Sequence, residues 1–223
     1  MPDITPFWIS LKVAISSTLI VLILGILIAR WLYQRHGVIA RVIESFIVLP
    51  IVLPPTVMGF ILLIIFSPKY PLGHFFTQVL HIPVVFTLTG AIIASTIVSL
   101  PLMYQHTVQG FRNIDTKMLN TARTMGASEL KIFFKLTLPL SKRAVLSGVM
   151  MSFARAIGEF GATLMVAGYI PNKTNTLPLE IYFLVEQGKE NQAWLWVIVL
   201  VAFAITVIGT INLMHRERFK EGT

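Results

Sequence analysis

The hydrophobic positions of this chain fall in blocks rather than in stripes. Phe7 to Leu32, Ile47 to Phe66, Val84 to Tyr104 and Ala193 to Met214 are runs apolar on every side and nearly free of charge. A fifth run, Ala144 to Gly168, is interrupted only by Arg155 and Glu159. About 20 helical residues at 1.5 Å each cross roughly 30 Å of hydrocarbon, so every block is long enough for one span. A transmembrane barrel would instead alternate apolar and polar residues over segments of roughly ten. The pattern predicts an all-α membrane protein with five transmembrane helices, forming a single domain over residues 1–223.

Composition agrees. With 55% hydrophobic and 13% charged residues and a mean hydropathy of +0.78, the chain is too apolar for a soluble domain of its size. The opening "MPDITPFW" carries Asp3 where a secretory signal carries basic residues, and the run behind it is too long for a signal core. The first span is therefore expected to be retained.

Charge orients the spans. Arg30, Arg35, Arg41, Arg112, Lys117, Arg123, Lys131, Lys135, Lys142, Arg143, Arg216, Arg218 and Lys220 fall on one side of a five-span chain. The other side holds Lys69, Lys173 and Lys189, with Lys12 near the start of the first span. The positive-inside rule then places the N-terminus outside and the C-terminus inside. Trp8, Trp31, Trp194 and Trp196 all fall at span ends, where an amphipathic ring prefers the headgroup level.

The same topology accounts for most of the net charge of +8, and no aromatic-interleaved basic strand points to nucleic acid. There is no cysteine. No phosphate-binding Gly-x-x-x-x-Gly-Lys-Ser/Thr motif occurs; the one Gly-Lys pair, Gly188-Lys189, is followed by Glu190. No cofactor is expected on this chain, and no ATP hydrolysis by it alone. His36, His74, His81, His106 and His215 are scattered without metal-ligand spacing.

The inner segment from Arg112 to Arg143 has the pattern of helix, hinge, helix. Asp115 suits an N-cap before an apolar face of Met118, Leu119, Ala122 and Met125, and Gly126 suits the C′ position. Ser128 can cap a second helix carrying Leu130, Phe133 and Phe134, and Pro139 is expected to end or kink it. An apolar stripe flanked by lysine and arginine has two readings. It docks into a groove on another protein, or it packs against the membrane ends of its own chain or lies on anionic lipid.

In the membrane, Pro50, Pro54 and Pro55 remove three backbone donors within six residues, and Gly59 follows one turn later. Such a segment must be buried in protein or face a cavity, as a packing kink or as a gate. Arg155 and Glu159 lie four apart and share a helix face, with Gly158 and Gly161 leaving bare backbone beside the glutamate. The pair either neutralises itself to fix helix packing or lies on a translocation path, where Arg155 offsets the charge of a passing anion. On the outer side, "LPLEIYFLVEQG" has Pro178 suited to a first turn, Gly188 to a stop, and Leu179, Tyr182 and Phe183 on one face.

The spacing of Ala122, Gly126, Leu138 and Pro139 resembles the so-called EAA loop of bacterial ABC importer permeases, although Asn120-Thr121 stands where that family has Glu-Ala. "SFARAIGEFGATLMVAGYIPNKTNTLPLEIY" and "VLPIVLPPTVMGF" are similar to the molybdate and sulfate branch of that family, whose short five-span form fits this chain better than the longer sulfate permeases. The resemblance implies the type I ABC importer permease fold in a bacterial or archaeal cell membrane, with residues 112–143 as the loop that couples to a cytoplasmic ATPase. It further implies a second copy of the chain as partner, or a second permease. An extracytoplasmic molybdate-binding protein would deliver the anion, and ATP with Mg2+ would sit on the ATPase. Ala122, Gly126, Ser128, Leu130, Phe133, Phe134, Leu138 and Pro139 are the coupling candidates. Pro54, Pro55, Gly59, Arg155, Gly158, Glu159 and Gly161 are the candidates for path or gate. Tungstate, sulfate or thiosulfate is the alternative cargo, and a non-transporting scaffold or sensor is the alternative from another class.

Overall fold

The computed structural model describes residues 3–35 and 37–220, with side chains up to 210. His36 and the side chains of His215, Arg216, Arg218 and Lys220, which enter the histidine and charge readings, lie outside the described residues. Among those described, every regular element is a helix. In hydrocarbon a helix is the one open element that satisfies its own backbone, so the apolar blocks have no other stable choice.

Among the described residues three helices are long and apolar enough to cross a membrane: α1 (Thr5–Leu32), α5 (Leu88–Arg112) and the first part of α12 (Glu190–Lys220). Two bent pairs raise the number to five. The first is α2 (Val38–Val52) with α3 (Pro55–Phe66), turned through 116°; the second is α9 (Lys142–Ile157) with α10 (Gly161–Ala167), turned through 59°. Short elements connect them. On one side α4 (Pro71–His74) runs into a π-turn segment, and α11 (Leu177–Glu186) precedes α12. On the other lie α6 (Thr116–Thr124), α7 (Glu129–Ile132) and α8 (Leu138–Leu140).

The expected second span, Ile47 to Phe66, is thus not one helix. A residue preceding proline is driven out of the helical region, and Leu53 (ψ 140°) and Pro54 (ψ 136°) are both extended because Pro54 and Pro55 follow them. Pro55 then opens α3, where its missing N–H costs nothing. The expected fourth span, Ala144 to Gly168, breaks likewise at Gly158, Glu159 and Phe160. The third starts later than Val84, at the Thr87 cap, and runs past Tyr104 to Arg112, which is therefore the end of a helix rather than loop.

Helix α5 is the centre of the bundle. In its most apolar window 56% of residues are buried, against 17% in α12. Met103 of α5 is fully buried between two glycines: a Cβ on Gly25 of α1 would lie 2.5 Å from its Cγ, and one on Gly148 of α9 would lie 3.0 Å from its Sδ. Such close approach is how helices gain packing energy in a bilayer, where lipid removes the hydrophobic drive. Ser152 of α9 donates to the Ser99 carbonyl of α5 at 3.3 Å, and Ser10 of α1 accepts from the Leu177 amide of α11 at 2.6 Å.

Candidate functional site

The inner loop is a compact pair of helices held by its own polar groups. Asp115 caps α6 by accepting from the Lys117 amide at 2.8 Å, and Ser128 caps α7 by accepting from the Lys131 amide at 3.4 Å. Between them Gly126 has φ +81°, a conformation that costs other residues strain, and the Ala127 amide reaches back to the Ala122 carbonyl at 3.0 Å.

Pro139 does not end the second helix. The backbone passes from α7 through a π-turn segment, Phe133–Thr137, into α8, turns at Ser141 and continues as α9. The wider turn opens the helix where the Pro139 ring would otherwise meet the Lys135 carbonyl. Loop and membrane helix are one run.

The expected stripe of Leu130, Phe133 and Phe134 is split between two faces. Phe133 is buried, edge-on to Phe111 with ring centroids 5.8 Å apart and with the Arg30 guanidinium 4.4 Å from its own ring centre. Leu119 and Ile132 are buried too, and Leu138 packs against the cluster that holds Phe133 and Phe111. Leu130 and Phe134 are 57% and 58% exposed, and Met118 and Met125 join them on the surface. Ala122 is half-buried. Phe133 thus packs against the membrane ends of its own chain, while Leu130 and Phe134 face outward.

Arg123 links the two loop helices. Its Nε and Nη2 donate to the two carboxylate oxygens of Glu129 at 2.7 and 3.2 Å, and its Nη1 donates to Asn120 Oδ1 at 2.7 Å. That hydrogen bond from Arg123, aided by its charge, holds the Glu129 carboxyl below its ordinary range. Sequence reasoning counted Arg123 only as a flanking cation. The missed signal was an acid six residues on, across a glycine.

In the membrane the two helix breaks abut. A Cβ on Gly161, which opens α10, would lie 3.0 Å from Cβ of Pro55, which opens α3. A Cβ on Gly59 would lie 2.8 Å from the Ala162 Cα. Pro54 and Gly158 are exposed at the breaks, and nothing crowds Gly158 within 3.5 Å. Glu159 is 2% exposed and works on its own backbone: Oε1 accepts from the Ala162 amide at 2.8 Å, in the first turn of α10. Its Oε2 lies 2.6 Å from Arg155 Nη1, a close ion pair off the line of a hydrogen bond. The Arg155 side chain is 31% exposed and has no other partner among the described residues.

Glu44 escaped the sequence reading. Tyr104 Oη donates to its Oε1 at 3.0 Å, and Arg112 Nη2 lies 3.6 Å from the same oxygen, which adds a polar tie to the packing of Ala40, Ile43 and Ile47 of α2 against the central helix. Glu44 is the sole acidic residue between Asp3 and Asp115, and that isolation was the available signal. Near α11, Tyr169 and Asn175 both donate to Glu180 Oε2, at 3.1 and 3.0 Å, and the Tyr169 ring lies on Phe183 with centroids 4.2 Å apart. Burial, then the bond to Glu180, pushes the Tyr169 hydroxyl up to about 12. Leu179 is buried, and Tyr182 is exposed.

The profile of the family "binding-protein-dependent transport system inner membrane component" matches residues 21–217. The chain belongs to this family. Among its members, the chain is 41% identical to the putative molybdenum transport system permease protein YvgM of Bacillus subtilis, over 92% of this chain and 90% of that one. It is 37% identical to the molybdenum transport system permease protein ModB of Haemophilus influenzae, over 96% and 92%. The fold is similar to that of a bacterial alginate ABC importer (TM-score 0.69, 15% identity, 96% of this chain and 79% of that one). It is similar also to the inward-facing methionine transporter MetNI (TM-score 0.66, 15% identity, 94% of each chain). This inner membrane component therefore has the type I ABC importer permease fold.

Proposed function

We propose that this chain is the membrane-spanning permease subunit of an ATP-driven molybdate importer. The observation that carries the reading is identity of 34% to 41% to molybdenum permeases over more than nine-tenths of the chain. Two copies surround a central path, and each offers α6 and α7 to one cytoplasmic ATPase subunit that holds ATP and Mg2+. Met118, Met125, Leu130 and Phe134 form the docking face, because they are the exposed apolar side chains of α6, α7 and the segments that flank α7. An extracytoplasmic binding protein delivers the anion beside α11. ATP binding draws the loops together and turns the spans from inward-facing to outward-facing. The abutting breaks of α2–α3 and α9–α10 lie on the path. There Glu159 anchors α10, and Arg155 keeps donors free to offset the charge of a passing oxyanion.

The test is uptake of radiolabelled molybdate in cells lacking their own high-affinity system, supplied with this chain, its ATPase and its binding protein. Uptake that needs all three, resists excess sulfate and yields to tungstate is expected. Sulfate uptake without molybdate uptake changes the cargo, and neither overturns the proposal.

A further inference from the structure

A cavity of about 580 Å³ lies at the inner end of α1, where Arg30, Gln34 and Arg35 meet Ile132 and Phe133 of the loop. Beside it a recess of about 490 Å³ shares Trp31 and Arg35 but is otherwise walled by backbone and apolar side chains, Val38 and Ile39 among them. Trp31 and Arg35 thus form a ridge between a polar compartment and an apolar one. Ile23, Leu27 and Trp31 follow at i, i+4 and i+8, all exposed, and run as one apolar strip from the ridge along α1.

Both arginines are held by rings rather than by acids. The Arg30 guanidinium lies 4.4 Å from the Phe133 ring centre and that of Arg35 lies 4.3 Å from Trp31. Neither makes a close ion pair among the described residues; Glu129 senses the Arg30 charge only at longer range. The cavity's one carboxylate, Glu129, is engaged at both oxygens by Arg123. A ring face fixes a guanidinium without neutralising it, so two oriented positive charges stand at a span end, next to an indole at headgroup level.

We propose that this bilobed cavity binds the phosphate headgroup of an anionic phospholipid between Arg30 and Arg35, with an acyl chain lying along Leu27 and Ile23. Basic pockets at membrane ends select such headgroups. The strip along α1 distinguishes a lipid from a free anion, because a free anion has no use for it. The bound lipid touches both α1 and the loop, through Phe133, so membrane composition bears on the seating of the loop. The inference rests on the permease reading only in that α1 crosses the bilayer.

The test uses the full chain in lipid nanodiscs with Trp31 as its sole tryptophan, after Trp8→Phe, Trp194→Phe and Trp196→Phe. Quenching of Trp31 by brominated phosphatidylglycerol is compared with quenching by brominated phosphatidylcholine. Two arginines at about fivefold each give an expected preference of roughly twenty-five-fold for the anionic lipid. Arg35→Gln is expected to lower it about fivefold, and Arg35→Lys to retain most of it. Arg35 is exposed, so neither change threatens the fold. Equal quenching by the two lipids overturns the proposal, and so does a preference unchanged in both Arg30→Gln and Arg35→Gln. Loss of the preference on adding glycerol phosphate assigns the site to a free anion, and loss on adding the ATPase subunit assigns it to protein; each overturns the lipid. The measurement needs no transport, so its outcome is separate from that of the uptake experiment.

Discussion

Arg123 and Glu129 face each other across Gly126 in a two-point ion pair, 2.7 and 3.2 Å, that fixes the angle between the two helices of the inner loop. The Glu129 carboxyl sits below its ordinary value of 4.5, the hydrogen bond from Arg123 being the main cause. A carboxyl lowered in the folded state contributes order above its unfolded value, and that contribution is lost as pH falls through the folded value. A spin label at Met125→Cys, on the exposed tip, should keep constant mobility from pH 8 to pH 5 and loosen only below pH 4.5. Glu129→Gln should loosen it at every pH. A label that mobilises near neutrality in the native sequence contradicts the assignment.

Phe133 and Phe134 are neighbours with opposite duties. Truncating buried Phe133 to alanine should cost about 3 kcal/mol or more of stability, whereas Phe134→Ala should stay within about 0.5 kcal/mol. Retention of the ATPase subunit should follow the reverse order, with Phe134→Asp and Leu130→Asp releasing it from a chain that still melts normally. Denaturation in detergent and co-purification give the two readouts.

The Arg155 and Glu159 pair calls for a double-mutant cycle. Arg155→Gln strands a buried carboxylate and should destabilise by about 3 kcal/mol. Glu159→Gln keeps an acceptor for the Ala162 amide and leaves only a partly exposed cation, so its cost should be smaller. The double variant should resemble Glu159→Gln alone. Strictly additive losses would mean that the two side chains do not sense each other.

Gly59→Ala brings a methyl to 2.7 Å from the Met165 Cβ and 2.8 Å from the Ala162 Cα, and no rotamer change moves a backbone atom. Overpacking of this kind costs about 1 to 3 kcal/mol. Gly209→Ala meets nothing within 4 Å and serves as control. A lowered melting temperature for the first and none for the second is expected.

The spans were legible because lipid allows an apolar block little freedom, and the loop caps because Asp115, Gly126 and Ser128 act on adjacent backbone. Bends were not. Hydropathy averages over a window, and "VLPPTV" is as apolar as a straight helix, so only the restriction that each proline places on its predecessor revealed extended backbone at Leu53 and Pro54. The two faces of the loop were misread for a related reason. Leu130, Phe133 and Phe134 have the same chemistry, and what divides them is the position of Arg30 and Phe111, far away in sequence. Glu44 went unseen because its partners Tyr104 and Arg112 belong to another helix.

From Glu129 to Ile157 the backbone turns helically without a gap, through the π segment and the turn at Ser141, for about 40 Å. Along that run the backbone leaves helical turns for more than one residue only at its far end, at Gly158, Glu159 and Phe160. A displacement imposed on α7 would be carried along this run to that joint, where a change of angle, rather than a change in the shape of the loop, would take it up.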